Sequence, residues 1–132
     1  MKTRYLLLPA LLVAIGATAI KRLDAHAPAP AYVITEIDVT DGEAFRDYAP
    51  RVQLSFVPFG GRYLVRGGNT QSFAGEPPKR VVVLVFDSME RARSWYASPE
   101  YEALKGLHDK AGKARIFAGE GLAQWEIARL GS

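Results

Sequence analysis

Apolar and polar residues alternate cleanly along Ala31–Val39, with Val33, Thr35, Ile37 and Val39 on one side and Tyr32, Ile34, Glu36 and Asp38 on the other. A repeat of two predicts a strand with one apolar face and one mixed face. Thr40, followed by Glu43, matches a capping box and opens a helix. Its apolar stripe is Phe45, Tyr48, Val52 and Phe56, at helical spacing. Pro50 lies within that helix, removes one backbone donor and crowds the Arg46 carbonyl, so a kink or break is expected there. Gly60-Gly61 supplies helix-stop chemistry.

Arg62–Arg66 reads as a second strand and Gly67-Gly68-Asn69 as a turn, with Phe73 extending a hairpin arm before Gly75-Glu76-Pro77-Pro78. Val81–Phe86, VVVLVF, is apolar at every position and reads as a third strand. Asp87 or Ser88 then caps a helix carrying Met89, Ala92, Trp95 and Tyr96. Ser98-Pro99 restarts the chain as N-cap and first helical residue. The helix it opens buries Tyr101, Leu104, Leu107, His108 and Ala111. Lys113–Gly119 makes a fourth strand around Ile116 and Phe117, and the tail through Trp125 and Ile127 adds an edge segment.

The order β-α-β-β-α-β, its second helix split in two, predicts an α+β domain of the ferredoxin-like plan over residues 31–127: a four-stranded antiparallel sheet with helices on one face. The other face of such a sheet normally shows polar alternation. Val81–Phe86 shows none, so either Val81, Val83 and Val85 or Val82, Leu84 and Phe86 point away from the helices. Leaving three such side chains in water forgoes roughly 1.5–3 kcal/mol each. Tyr32 and Ile34 add to that face. A second copy laid sheet to sheet would cover it, and a homodimer is expected; a C-terminal tail folded over the face is the alternative.

The first residues are a different kind of sequence. Met1-Lys2-Thr3-Arg4 is positive, Tyr5–Ile20 is almost uncharged, and Lys21, Arg22 and an Ala/Pro-rich segment follow. This is a secretory signal pattern over residues 1–27, with A-x-A sites ending at Ala27 or Ala19. A sixteen-residue apolar helix spans only about 24 Å, short of the roughly 30 Å hydrocarbon core. Export, to the periplasm, is therefore expected, and an uncleaved inner-membrane anchor over residues 5–20 is the alternative. Removing Lys2, Arg4, Lys21 and Arg22 from seventeen basic residues, and Asp24 from fourteen acidic ones, leaves thirteen of each. The basic balance belongs to the leader, and no electrostatic footprint for nucleic acid remains. The absence of cysteine excludes disulfides, thiolate metal sites and a cysteine nucleophile.

AYVITEIDVTD, GGRYLVRGG, VVVLVFDSMERARSWYASPEYEALK and the closing Glu120-Gly121 resemble the bacterial domain-of-unknown-function family 1330, from about Ala31 to Gly121. The resemblance implies the dimeric α+β barrel version of the ferredoxin-like fold. The wider superfamily includes cofactor-free monooxygenases, lactone isomerases and haem-handling proteins, and family 1330 itself has no settled activity. Where relatives commonly carry an arginine on the last helix this chain has His108, so an anion-binding role of that arginine does not transfer.

Among the residues that can carry chemistry, His108 is the only histidine after the leader and sits on an apolar helical stripe. A histidine there suits a general acid or base, or is a half-buried core residue. Arg66, ending a strand beside Gly67-Gly68, suits a bidentate carboxylate clamp, or pairs with Glu36 or Asp38. Trp95, Tyr96 and Tyr101 cluster around the helix restart and suit an aromatic-binding wall, or plain core. Tyr48, beside Pro50, is a further candidate for proton transfer. No metal site and no cofactor are expected: the remaining ligands are carboxylates, Gly60-Gly61 follows a helix rather than opening one, and no G-x-x-x-x-G-K-[ST] phosphate loop occurs. The expected ligand is a small aromatic or carboxylated molecule.

Overall fold

The computed structural model describes residues 27–131. The leader and its candidate anchor over residues 5–20 lie outside the described residues. Among the latter, no helix is long and apolar enough to cross a membrane.

Strand β1 (Ala31–Val39), helix α1 (Gly42–Phe56), β2 (Arg62–Arg66), β3 (Val81–Phe86), α2 (Met89–Tyr96), α3 (Pro99–Glu102), α4 (Lys105–Ala111), β4 (Gly112–Glu120) and α5 (Gln124–Leu130) follow in chain order. The four strands form one antiparallel sheet in the order β2-β3-β1-β4. Two strands joined by a helix lie apart while long-range pairs meet in the middle, which is the ferredoxin-like α+β arrangement.

Register decides which residues face the helices. Val33 pairs with Leu84 and Ala118, and Thr35 with Val82 and Ile116; these lie on the helix side with Tyr63 and Phe86. Tyr32, Ile34, Val83, Val85 and Phe117 alternate to the other side. A bulge between Tyr63 and Val65 shifts the count in β2 by one, so Tyr63 and Arg66 both fall opposite helix-side residues of β3, Leu84 and Val82. Without that bulge Arg66 would point to the opposite face.

The core sits between this face and the helices. Phe86 stacks on Trp95 at 5.4 Å, Trp95 lies 4.6 Å from Tyr101, and Phe56 meets both Tyr63 and Trp95 edge-on. Such offset and edge-to-face pairs add to the area they bury. The Trp95 indole N–H donates to Ser55 Oγ at 3.0 Å, and Ser55 donates in turn to the Val52 carbonyl at 2.7 Å. The one polar atom of the tryptophan is thereby satisfied inside the core.

Several local expectations need correcting. Asp41, not Thr40, caps α1, its carboxylate accepting from the N–H groups of Glu43 and Ala44. Those two bonds, Ala44's foremost, hold the Asp41 carboxyl below its ordinary range. Helix α1 runs unbroken through Pro50. Both Pro50 and Arg46 are exposed, so the carbonyl that loses its partner is on the wet side of the helix. Phe73 forms no hairpin arm; it is exposed in an irregular loop. The helix after Ser98 tightens at Ala103–Leu104, where Leu104 N–H bonds to Tyr101, dividing it into α3 and α4. The tail is a helix, α5, whose Glu126 reaches back to the Ala123 N–H at 2.8 Å.

Candidate functional site

The stripe of α1 supplies Phe45, Tyr48 and Val52 to one wall of a cavity whose floor is sheet: Thr35, Ile37, Val82 and Leu84. Tyr101 and His108, brought there by the restart at Ser98 and the turn at Leu104, close one side. Arg66 and Arg80 line it as well. The cavity volume is about 50 Å³. By this measure one water needs on the order of 10–15 Å³ and a benzene ring about 150 Å³, so the space suits a few waters or a molecule of a few heavy atoms.

Of the residues expected from sequence, Tyr48, Arg66, Trp95, Tyr101 and His108 all line this cavity. Tyr96 does not. It is exposed, lies beneath the Lys105 ammonium at 5.0 Å, and faces two outer hollows flanking β4. Trp95 lines the cavity with its ring only, because Ser55 already uses its donor. Arg66 pairs with neither Glu36 nor Asp38: Glu36 binds Arg115 at 2.7 Å and Asp38 binds Lys79 at 2.8 Å. Its guanidinium instead lies 5.0 Å over the Tyr63 ring.

His108 is buried and its ring is 5.2 Å from that of Tyr48. Nδ1 is 3.3 Å from the exposed Asp109 carboxylate. A proton at Nδ1 donates to Asp109 and leaves Nε2 an acceptor; a second proton makes Nε2 a donor. Nε2 is buried and has no hydrogen-bond partner among the described residues. A buried polar atom left this way costs about 1–3 kcal/mol, and native structures keep few of them.

The two phenols are held neutral. Burial raises Tyr48 far above the ordinary tyrosine value, with the neighbouring Tyr101 adding to the rise. Burial likewise pushes Tyr101 up to about 12, against the hydrogen bond from Tyr48, which favours the Tyr101 phenolate. Both hydroxyls therefore stay protonated near neutral pH; the Tyr48 O–H is spent on Tyr101, which leaves the Tyr101 O–H to offer a hydrogen bond.

Sequence reading missed Arg80. It sits just before β3, its guanidinium 4.8 Å over the Phe45 ring and its Nη2 donating to the Arg66 carbonyl at 3.4 Å. Its Nε is buried without a partner among the described residues. Gly67, at φ 68, is packed so closely that a Cβ there would coincide with the Arg80 guanidinium. The Gly67-Gly68 pair was legible as a turn, but nothing in the chain announces the arginine it accommodates thirteen residues on. Among the described residues, no three His, Asp or Glu side chains come together as a metal site.

A small, mostly apolar cavity lined by two arginines, three tyrosines and one histidine lies between the sheet and the helices of this ferredoxin-like α+β domain. The chain belongs to the family described as Domain of unknown function (DUF1330), whose model matches residues 30–122. No curated protein matches it. Among solved structures it is similar to a protein of unknown function from Rhodopseudomonas palustris, RPA0582, at 18% identity and a TM-score of 0.54, covering 71% of this chain and 83% of that one. The methylated form of RPA0582 gives 18% identity and a TM-score of 0.56, covering 74% and 84%. SnoaB, a cofactor-independent oxygenase from Streptomyces nogalater, is similar at 13% identity and a TM-score of 0.49, covering 73% and 94%. At these identities the likeness is one of fold alone.

Proposed function

We propose that this chain is an exported homodimeric barrel that binds a small aromatic or carboxylated molecule without a cofactor and moves a proton on it. Arg66 orients the ligand, Tyr101 donates a hydrogen bond to it while Tyr48 donates to Tyr101, and His108 Nε2 takes or gives the proton. The observation that carries this reading is that two residues lining one cavity, His108 and Arg80, each hold a buried nitrogen, Nε2 and Nε, without a partner among the described residues. A domain gains nothing in stability from such atoms; a ligand that bonds to them supplies the missing partners.

Dimerisation rests on the sheet's other face. Tyr32, Ile34, Val81 and Val83 are only partly covered there, and Val65 and Phe117 are exposed at 40% and 43%. An apolar sheet face of this extent calls for a cover, and a second copy brings an identical apolar face to it. Export rests on the positive start and apolar run of residues 1–20.

A second reading, a non-catalytic packing module, is favoured by one observation: Trp95 is 2% exposed and fully satisfied by Ser55, as a core residue should be. Native mass spectrometry of protein recovered from the producing cell, with a panel of small acids and neutrals, aliphatic and aromatic, added, separates the two. The proposal expects a dimer of leader-cleaved chains that gains at least one panel member. A full-length monomer gaining none would sink it.

A further inference from the structure

The cavity's two arginines carry no counter-charge. Arg62 pairs with Asp87, Arg115 with Glu36, and Arg51 with Asp47, yet neither Arg66 nor Arg80 lies within ion-pair distance of a carboxylate among the described residues. They are nevertheless neighbours: Arg80 Nη2 reaches the Arg66 carbonyl, and both charges act on the Tyr63 phenol, opposing the rise that burial imposes. Two like charges on one cavity, one of them with a buried and unpartnered Nε, are unfavourable unless an anion joins them. Each guanidinium is backed by an aromatic ring, Phe45 behind Arg80 and Tyr63 behind Arg66, which fixes its plane. Gly67 leaves room for Arg80 and for nothing larger beside it.

We infer that the ligand of this cavity is a short-chain monocarboxylate of a few heavy atoms, its carboxylate held between Arg80 and Arg66 and its apolar body against Phe45, Val82 and Leu84. This rests on the small-molecule reading above and gives it a substrate class. Arg80 is the anchor, since its Nε needs a partner and its plane is set by Phe45. Arg66, exposed, supplies the outer half of the clamp. A guanidinium fork matches the two oxygens of a carboxylate in a way a neutral amide does not. The opposite end of the ligand then meets the neutral Tyr101 phenol and His108 Nε2, which bond to a hydroxyl, keto or enol oxygen.

The probes are propionate, its neutral isostere propionamide, and 1-propanol, titrated calorimetrically into the purified protein and into Arg80→Gln and Arg66→Gln. Propionate is expected to bind wild type at least tenfold more tightly than propionamide and to weaken as salt rises. Arg80→Gln is expected to lose at least tenfold in propionate affinity while keeping its propionamide affinity, which also reports that the variant is folded. Arg66→Gln, on the exposed side, loses less. If propionamide or propanol binds as well as propionate, or if Arg80→Gln binds propionate unchanged, the carboxylate assignment is overturned while small-molecule binding stands. If none of the three binds wild type, both readings fall together.

Discussion

Replacing Trp95 with alanine is expected to cost about 3–5 kcal/mol of stability and to lower the melting temperature by more than about 10 °C. The side chain is 2% exposed and touches the core on every side: Phe86 stacked at 5.4 Å, Tyr101 at 4.6 Å, and Phe56 edge-on at 6.2 Å. Truncation removes the largest single ring of this cluster and leaves a void that rigid neighbours cannot close. It also strands Ser55 Oγ, which accepts from the indole at 3.0 Å. The loss is a large fraction of the roughly 5–15 kcal/mol that holds a small domain folded. Thermal melts followed by circular dichroism measure it, and a fall of only a few degrees would show that Trp95 is a wall of the cavity and not the centre of the core.

The second large effect comes from a single methyl group. Gly112 begins β4 opposite Val39, where the N–H groups of Thr40 and Asp41 both bond to the Ala111 carbonyl at 3.0 Å. The chain segments cross so closely that a Cβ on Gly112 would coincide with the Asp38 carbonyl oxygen. Its φ of 170 is ordinary extended backbone, so the obstacle is space and not conformation. Backbone has no flexible end to give way, and Gly112→Ala is expected to cost about 1–3 kcal/mol or more. Gly119 lies on the same strand with nothing within 4 Å of the corresponding Cβ. Gly119→Ala is therefore expected to be neutral or slightly stabilising, since alanine restricts the unfolded chain. Denaturant melts of the two variants side by side test the pair; equal effects would contradict this account of the crossing.

How much of this was written in the chain follows from which interactions are local. The alternation of β1 and the unbroken apolar run of β3 fixed the strands, because face and period are properties of neighbours in sequence. The stripe holding Tyr48, and the one holding His108, placed both on the cavity for the same reason. Pro50 reads as a break, yet the carbonyl it frees is on the wet side and α1 runs through it. Trp125 and Ile127 fit a strand as well as a helix until Glu126 is seen capping Ala123. Arg80 was illegible because what makes it a site residue is non-local. A bulge in β2 turns Arg66 to the helix side, a left-handed Gly67 clears space, and a ring from α1 backs the guanidinium. Tyr96 was grouped with Trp95 by adjacency, yet neighbouring helical residues point about 100° apart, and it faces outward.

If His108 is kept for a ligand, it is kept at a cost to the fold. Melting His108→Met with and without 3-hydroxypropionate, whose hydroxyl lies at the end away from the carboxylate, tests that directly, because methionine fills similar space and removes the unpartnered Nε2. The expected result is a ligand-free variant at least as stable as wild type that has lost most of the stabilisation 3-hydroxypropionate gives, as for a site residue whose removal relieves the fold. A variant that melts several degrees lower while 3-hydroxypropionate stabilises it as before would make His108 a core residue and contradict the reading.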